Sequence, residues 1–244
     1  MTAIETINLT KKYNEFVAVN NLNLEIMEGE LFSLLGVNGA GKTTTIKMLS
    51  TLSKPTSGKA KIFGYDVESD QDKIKEIVDV SMQETAIARK LTVEENIIFY
   101  AKLSGQTKEE IEEIKRYLYD VFGLSEIANK KASKLSGGWQ RKLSIALALV
   151  TKPKVLFLDE PTLGLDVLAR RELWKAIKDL KTKMTIILTT HYMEEAEALS
   201  DRIGIMKSGE LLFVGTKEDL FDKTGKTNVE EAFINIVSGG DLDA

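Results

Sequence analysis

The chain has 244 residues, 43% of them apolar, so it can bury a sizeable core and is not an intrinsically disordered polymer. Its 33 basic and 37 acidic side chains give a formal net charge of -4 without a long run of either sign, which disfavours nucleic acid as the main partner. The apolar runs are shorter than the roughly 20 residues of a membrane span, and the first twenty residues lack the apolar core of a signal peptide. The lack of cysteine excludes disulfides and thiolate metal sites, and this composition fits a cytoplasmic protein.

The first 30 residues predict an antiparallel hairpin. Its strands are Ile4 to Leu9 and Val17 to Ile26, both rich in β-forming residues, and residues 11–15 form the turn between them. Tyr13 lies at the tip. Such an aromatic is commonly part of the turn alone, but its ring could stack on a nucleotide base if the hairpin folds towards the loop that follows.

A glycine-rich loop, residues 36–44, follows the apolar run of residues 31–35 and precedes a predicted helix from Lys42 to Leu52. Glycine lets the backbone turn tightly and bring its N–H groups close to a phosphate. The Lys42 ammonium and the positive helix end can act together on phosphates, and Thr43 can offer its hydroxyl to Mg²⁺. An ordinary turn is the alternative, but the flanking strand and helix favour a phosphate-binding loop. The residues expected at the nucleotide are Gly36, Asn38, Gly39, Ala40, Gly41, Lys42, Thr43 and Thr44.

The segment after this loop predicts alternating short elements. Ile46, Leu49 and Leu52 share the apolar face of the first helix. The next predicted elements are a turn at residues 54–58, a strand at 59–63, a helix at 71–77 and a strand at 78–83 that ends in Gln83.

Residues 84–150 predict an inserted helical subdomain. Two capping boxes, Thr92 with Glu95 and Thr107 with Glu110, open successive helices.

The subdomain closes with Leu135-Ser136-Gly137-Gly138-Trp139, after which Trp139, Leu143, Leu147 and Val150 recur at helical spacing. A serine and two glycines at a helix N-terminus form a second candidate anion site. A plain helix cap is the alternative explanation.

A continuous apolar run from Lys154 ends in the adjacent carboxylates Asp159 and Glu160, as expected of a buried parallel strand. Asp159 is expected to hold Mg²⁺, directly or through water, while Glu160, on the opposite side of the strand, could polarise an attacking water. The alternative is a solvated acidic turn before Pro161.

The last third of the chain predicts a helix at residues 167–180 and a buried strand at 184–191 that ends in His191, the single histidine. A lone histidine is commonly structural, but this one could hydrogen-bond the γ-phosphate. A hairpin at 203–214 is expected to close the sheet, helices are predicted at 217–221 and 229–237, and Ser238 to Ala244 is expected to fray. No internal repeat is present.

Taken together, these motifs resemble the ATP-binding subunit of ABC transporters over almost the whole chain. The residues that carry the resemblance are Tyr13, Gly36 to Thr44, Gln83, Leu135 to Gly138, Asp159, Glu160, Leu165, Asp166 and His191. The resemblance implies an α/β fold: a P-loop NTPase core with a mostly parallel sheet, an antiparallel β subdomain and an inserted helical subdomain. One domain is expected, with a core at residues 1–83 and 151–223, a helical subdomain at 84–150 and a C-terminal helix and tail at 224–244.

The resemblance also implies roles for single residues. The implied catalytic residues are Glu160, His191 as the switch histidine and Gln83, and the implied Mg²⁺ ligands are Thr43, Gln83 and Asp159. Tyr13 would stack on adenine. The γ-phosphate held by the other subunit would be touched by Ser136, Gly137 and Gly138. Asp166 would align the two halves. Trp139 departs from the family, which usually has glutamine there, so the hydrogen bonds of that side chain are missing.

The cofactors implied are ATP and Mg²⁺, and the implied partners are a second subunit in a head-to-tail pair, expected to be a homodimer, and a separate membrane-spanning permease. This places the chain at the cytoplasmic face of the membrane. Residues 91–103 and 190–203 resemble the branch that mostly powers exporters. The alternative is an ABC-type ATPase that remodels ribosomes or DNA, although tandem units and coiled-coil insertions are not seen, and a P-loop kinase or GTPase is disfavoured because the sequence lacks an Asn-Lys-x-Asp motif.

Overall fold

The structure, a computed structural model, describes residues 1–239 and confirms the predicted fold class. Within these residues the strands are β1 (Thr2–Tyr13), β2 (Phe16–Met27), β3 (Leu31–Gly36), β4 (Ser57–Ile62), β5 (Tyr65–Asp66), β6 (Val78–Ser81), β7 (Val155–Asp159), β8 (Thr185–Thr190), β9 (Arg202–Lys207) and β10 (Glu210–Gly215). The α-helices are α1 (Lys42–Leu49), α2 (Gln71–Ile77), α3 (Val93–Leu103), α4 (Lys108–Phe122), α5 (Gly137–Ala148), α6 (Val167–Lys181), α7 (Met193–Leu199), α8 (Lys217–Thr224) and α9 (Val229–Ser238). Of the tail expected to fray, Ser238 ends α9, and residues 240–244 lie outside the described residues.

The central sheet has the strand order β10-β9-β3-β8-β7-β6, in which all neighbours are parallel except the edge pair β9 and β10. Its inner strands are buried on both faces, which is why they consist of nearly continuous apolar runs. Alternate side chains of β7 lie on opposite faces of the sheet. Leu156 and Leu158 belong to the apolar cluster that includes α3, α4 and α5, and Val155 and Phe157 belong to the cluster that includes β1, β2 and α1.

A second, antiparallel sheet has the order β2-β1-β4-β5. The hairpin of β1 and β2 is longer than predicted, because Lys11, Lys12 and Tyr13 still pair with β2. The turn is therefore confined to Asn14 and Glu15, and Asn14 has the positive φ of 52° that asparagine tolerates in tight turns.

Helices α3 and α4 pack against α5, which in turn packs against β6 of the central sheet. Both predicted capping boxes are confirmed. The hydroxyls of Thr92 and Thr107 each accept the backbone N–H of the glutamate three residues on, and the side chain of that glutamate accepts the backbone N–H of the threonine. No helix of residues 1–239 is long and apolar enough to cross a membrane.

Several elements are shorter than predicted, among them β8, which ends at Thr190 so that His191 lies just beyond the strand. Helix α1 ends at Leu49, and Leu52 is 59% exposed instead of sharing the apolar face. Strand β6 ends at Ser81 because it is an edge strand whose ladder with β7 stops at the pair Ser81 and Leu158. Gln83 consequently lies in the segment beyond the strand.

The topology brings three chain segments to one edge of the central sheet. Strands β3, β8 and β7 are adjacent and parallel, so the loops after Gly36, Thr190 and Asp159 leave the sheet side by side. In open α/β sheets this carboxyl edge is where ligands bind.

Candidate functional site

The loop between β3 and α1 has the backbone geometry of an anion cradle. Gly39 and Gly41 have φ angles of 80° and 106°, which residues with a Cβ rarely adopt. A Cβ on Gly41 would also lie 2.5 Å from the carbonyl oxygen of Ala18, so this position requires glycine. Gly41 caps α1, and the first N–H groups of a helix have no partner inside it. Those of Lys42, Thr43 and Thr44 are therefore donors for an anion.

The Lys42 ammonium lies at the centre of the site and is 6% exposed. Its Nζ donates to the carbonyl oxygens of Gly36 at 2.7 Å and Val37 at 3.2 Å. It also forms an ion pair of 3.2 Å with Oε1 of Glu160. A phosphate in the loop would give this buried cation a stronger, charged acceptor than the two neutral carbonyls.

Asp159, the last residue of β7, is buried and held by two hydroxyls. Thr43 Oγ1 lies 3.0 and 2.9 Å from its two carboxylate oxygens, and Thr189 Oγ1 donates to Oδ1 at 2.6 Å. Two of the three predicted Mg²⁺ ligands, Thr43 and Asp159, are therefore in direct contact.

Glu160 follows in the left-handed region, with a φ of 47°. This conformation is uncommon for a residue with a side chain and is found at functional sites. The Glu160 N–H donates to the carbonyl oxygen and the hydroxyl of Thr189, both at 3.1 Å. Its carboxylate contacts Lys42 through one oxygen and His191 Nδ1 through the other, at 2.7 Å. Because a carboxylate accepts, Nδ1 is the donor of this contact, and His191 Nε2 can donate to a group in the cavity only when the ring carries both protons.

These side chains surround a cavity of about 450 Å³. Its lining includes predicted residues from the loop, Asn38, Gly39, Ala40, Gly41, Lys42, Thr43 and Thr44, together with Gln83, Glu160 and His191. Gly36 accepts the Lys42 ammonium, and Asp159 joins the group through Thr43. Four segments from distant parts of the sequence thus converge on one cavity, while the chemical role of each residue stays a prediction.

Besides Gly36 and Asp159, five predicted residues lie outside the cavity lining, namely Tyr13, Ser136, Gly137, Gly138 and Asp166. Ser136 is the N-cap of α5, and its side chain makes no capping hydrogen bond. Gly138 approaches the start of α6, where a Cβ on it would lie 3.1 Å from Ala169 Cβ. Asp166 caps α6 and accepts the Ala169 N–H at 2.9 Å. The structure thus brings Asp166 close to the segment of Ser136, Gly137 and Gly138, as a second group.

The aromatic that lines the cavity is Phe16, which pairs with Tyr13 across the β1–β2 hairpin. Tyr13 is exposed at the hairpin tip, and the Lys11 ammonium lies 5.1 Å from its ring centroid. Stacking of Tyr13 on adenine stays a prediction, and Phe16 is an aromatic that the sequence analysis missed.

Two other residues of the site region were also missed. Thr189 belongs to an apolar strand, where threonine is common as a β-forming residue, so no pattern singles it out. Arg141 lies on α5 but is 4% exposed, whereas arginines on helices are mostly exposed. Burial lowers the pKa of Arg141 to about 10, while the carboxylates of Asp159, Glu195 and Glu160 act in the opposite direction.

Glu195, on α7, is a further buried acid near these groups. Its Oε1 accepts the Trp174 indole N–H at 3.0 Å. Burial raises the pKa of Glu195, and the nearby Glu160 carboxylate adds to this, because both disfavour a second negative charge in the interior.

The residues present fit both a nucleoside triphosphate and Mg²⁺. The glycine cradle, the helix N-terminus and Lys42 suit a chain of phosphates. A hydroxyl and a carboxylate in contact, Thr43 and Asp159, with the Gln83 amide on the same cavity, are oxygen ligands of the kind that Mg²⁺ prefers.

Comparison with known proteins supports this assignment. Residues 19–163 match the family model described as ABC transporter. The phospholipid-transporting ATPase ABCA3 of Homo sapiens is 46% identical over 209 residues, which cover 85% of this chain but 12% of the relative. The linearmycin resistance ATP-binding protein LnrL of Bacillus subtilis is 40% identical over 223 residues, covering 91% of this chain and 72% of the relative.

Among solved structures, the ATP-binding cassette MJ0796, in a dimeric post-hydrolysis state bound to ADP and Pi, superposes with a TM-score of 0.78 at 28% identity. The match covers 87% of this chain and 98% of that one. Against several relatives of high similarity the chain spans only 12% to 43% of the relative's length. The family match extends over more than half of the sequence, and LnrL is matched over most of its length, so this chain belongs to the ABC transporter family.

Proposed function

We propose that the chain is an ATP-binding and ATP-hydrolysing subunit that drives a separate membrane-spanning permease, as an exporter. The observation that carries the proposal is the chain of contacts from Lys42 through Glu160 to His191 at the mouth of a glycine-lined cradle. A cation, a carboxylate and an imidazole at the place of the terminal phosphate are the groups that phosphoryl transfer to water needs.

Binding is assigned to the loop and to the residues beside it. The N–H groups at the start of α1 and the Lys42 ammonium would hold the phosphates. Thr43, Asp159 and Gln83 would hold Mg²⁺, which when bound supplies positive charge to the phosphate oxygens. Thr189 orients the Asp159 carboxylate for this task through its 2.6 Å hydrogen bond.

Hydrolysis is assigned to Glu160 with His191. In the structure one Glu160 oxygen is paired with Lys42. When the phosphates attract Lys42, that oxygen becomes free to accept a proton from an attacking water, while His191 fixes the other oxygen. A doubly protonated His191 ring would at the same time donate from Nε2 to the terminal phosphate, so this contact would depend on whether the phosphate is still attached.

A second copy of the chain is proposed to complete each site. Ser136, Gly137, Gly138 and Asp166 form a group apart from the cavity lining, so a partner's nucleotide is the ligand we assign to them. Val167 and Leu168, beside Asp166, are 62% and 74% exposed, as expected of apolar side chains that a partner covers. The dimeric state of MJ0796 supports a head-to-tail homodimer.

The permease and the direction of transport are proposed from the relatives. LnrL is named for linearmycin resistance and ABCA3 for phospholipid transport, which supports an exporter at the cytoplasmic face of the membrane. The predicted division into a core, a helical subdomain at residues 84–150 and a C-terminal part belongs to the same proposal. An ATPase that remodels ribosomes or DNA is the less favoured alternative, since neither relative is named for such a task.

The test is ATP turnover with Mg²⁺ by the purified chain and two variants. Glu160→Gln keeps the side-chain shape but loses the base, so turnover should fall by about 100-fold or more while ATP binding remains. Gel filtration with ATP should show this variant as a dimer. Lys42→Ala should fail earlier, at nucleotide binding.

The matched control is Glu113→Gln, which removes an exposed carboxylate on α4 and should turn over ATP like the wild type. Near wild-type turnover by Glu160→Gln would remove Glu160 from the role of base. A wild-type chain that neither binds nor hydrolyses ATP would overturn the proposed function.

A further inference from the structure

Arg141 makes an unusual set of contacts in the interior, all of them to main-chain carbonyl oxygens. Its Nε donates to Pro161 O at 2.9 Å and its Nη2 to Asp159 O at 2.7 Å. Its Nη1 donates to Met82 O and, at 3.2 Å, to Gln83 O. One guanidinium therefore joins two separate chain segments.

Both segments carry residues of the candidate site. Residues 82–83 follow β6 and contain Gln83, and residues 159–161 end β7 and contain Asp159 and Glu160. The planar guanidinium has five N–H donors in a fixed fork, which allows it to hold both segments at once. A lysine ammonium is a compact point charge and cannot reproduce this arrangement.

Packing alone does not explain an arginine at this position. Leu143, Ile145 and Ala146 of α5 are apolar and fully buried, and the two buried polar neighbours Lys142 and Ser144 have side-chain partners of their own. A buried cation is costly unless its donors are satisfied, and replacing such a charge with an apolar side chain is often neutral or stabilising. A role in positioning accounts for the choice, because an apolar side chain could not fix the Gln83 and Glu160 segments relative to α5.

Arg141 and the predicted signature lie on the same helix. Ser136 caps α5 and Gly137 and Gly138 form its first turn, so Arg141 is five residues, or about 7.5 Å along the axis, from the cap. A displacement of the helix N-terminus would therefore also move the guanidinium and the two segments it holds.

On the basis of the proposed function, we infer that Arg141 is a positioning residue that couples the two nucleotides of the dimer. Contact of Ser136, Gly137 and Gly138 with the partner's nucleotide would move α5, and Arg141 would transmit this to Gln83 and Glu160 beside the chain's own nucleotide. Each site would then be fully arranged for hydrolysis only when the other is filled, which is a reciprocal coupling between sites.

The experiment compares the wild type, Arg141→Met and Arg141→Lys in the full chain. Three quantities are measured: the dependence of turnover on ATP concentration with Mg²⁺, the affinity for a fluorescent ATP analogue, and the thermal midpoint. We expect Arg141→Met to keep its nucleotide affinity within about twofold, since Lys42 and the glycine loop are untouched, but to lose about tenfold or more in kcat. Its Hill coefficient should fall to one, because filling one site no longer arranges the other.

Arg141→Lys keeps the charge but cannot hold both segments, so it should fold and still show the lowered Hill coefficient. If Arg141→Met does not fold, Arg141→Lys alone provides the test. The matched control is Lys142→Met, which removes the next cation of α5 and its 2.7 Å ion pair with Glu172. It should retain the kcat and the Hill coefficient of the wild type.

Three outcomes overturn the inference. These are folded Arg141 variants with wild-type kcat and Hill coefficient, variants that lose kcat while cooperativity is unchanged, and a wild-type chain that hydrolyses ATP without cooperativity. Each of them is compatible with the proposed function, which fails only if the wild-type chain does not bind or hydrolyse ATP.

Discussion

Asp159 and Glu160 are adjacent acids with different surroundings. Asp159 accepts hydrogen bonds from the hydroxyls of Thr43 and Thr189, whereas Glu160 contacts the Lys42 ammonium and the His191 ring. The turn at Glu160, with its positive φ, directs consecutive side chains to these separate partners. Hydroxyl contacts suit a carboxylate that holds a metal ion, and a cation and an imidazole suit one that exchanges a proton.

The first prediction concerns Thr189, whose hydroxyl contacts both acidic residues. Thr189→Val conserves the shape of the side chain and removes the hydroxyl that orients Asp159. The Glu160 N–H keeps the Thr189 carbonyl as its acceptor, so the local backbone should survive. We expect the Mg²⁺ concentration for half-maximal turnover to rise by about tenfold, as for other groups that orient a metal ligand. Magnesium titrations of ATP turnover measure this.

A control on the same strand separates this effect from a general loss of stability. Thr185→Val removes a hydroxyl that accepts the Gly29 N–H at 3.0 Å, at the opposite end of β8. It should lower the thermal midpoint to a similar degree and leave the Mg²⁺ requirement unchanged. An unchanged Mg²⁺ requirement in Thr189→Val would show that Thr189 does not orient a ligand of the metal.

At the scale of a single element, helix α5 carries the Ser136, Gly137 and Gly138 segment at its start, Arg141 in its interior and Trp139, which departs from the family pattern. Trp139 is half-buried against the helical core, and the Lys142 ammonium lies 4.4 Å from its ring centroid. The side chain of the next residue, Gln140, donates to the main-chain oxygen of Leu135 at 3.0 Å, just before the start of the helix. The indole therefore packs against the helix layer, which is a structural task.

The second prediction follows from this packing. Trp139→Gln restores the usual family residue and removes an indole with only one hydrogen-bond donor. ATP turnover should stay at the wild-type value or rise, while the lost packing and cation–π contact should lower stability by about 1 kcal/mol. Turnover assays and thermal melting measure the two effects.

Trp139→Phe provides the comparison, because it keeps a ring under Lys142 without the indole donor. It should retain both activity and most of the stability. Collapse of turnover in folded Trp139→Gln would show that the indole itself contacts the nucleotide or the second subunit.

Features with a local sequence pattern could be predicted, whereas features that depend on residues far apart in the chain could not. The glycine loop, the apolar strands and the capping boxes at Thr92 and Thr107 could be predicted because their patterns are local. The end of β6 could not, since it depends on where its pairing with β7 stops. Arg141 and Thr189 could not be assigned either, because their partners lie up to 59 residues away and no local pattern marks them.

At the scale of the whole molecule, residues 83–92 connect the candidate site to the surface of the helical layer. Asn96 is fully buried and holds this segment, donating to Ala88 O at 3.1 Å and Thr92 O at 2.8 Å and accepting the Ala88 N–H at 2.8 Å. Gln83, at the start of the segment, lines the cavity. A rigid segment with one end at the nucleotide can transmit a movement to a partner bound at its other end.

The last prediction is that the start of the helical subdomain, roughly residues 84–101, is the docking surface for the permease. Ile87 and Leu91 are half-buried, so part of each side chain is exposed, and Phe99 on α3 is 45% exposed. An apolar surface of this kind could receive a short helix from the permease. Charged substitutions, Ile87→Glu and Leu91→Glu, should abolish co-purification with the permease or transport, while ATP turnover by the isolated chain remains.

Because Ile87 also packs against the core of the helical layer, its substitution could unfold that layer instead of blocking a partner. Phe99→Glu separates the two effects, since a more exposed ring can be replaced with less loss of stability. Ile7→Glu is the matched control: Ile7 is 49% exposed on β1, in the other sheet, and its substitution should leave permease binding intact. If the variants at residues 87, 91 and 99 melt like the wild type and still support binding and transport, the docking surface lies elsewhere on the molecule.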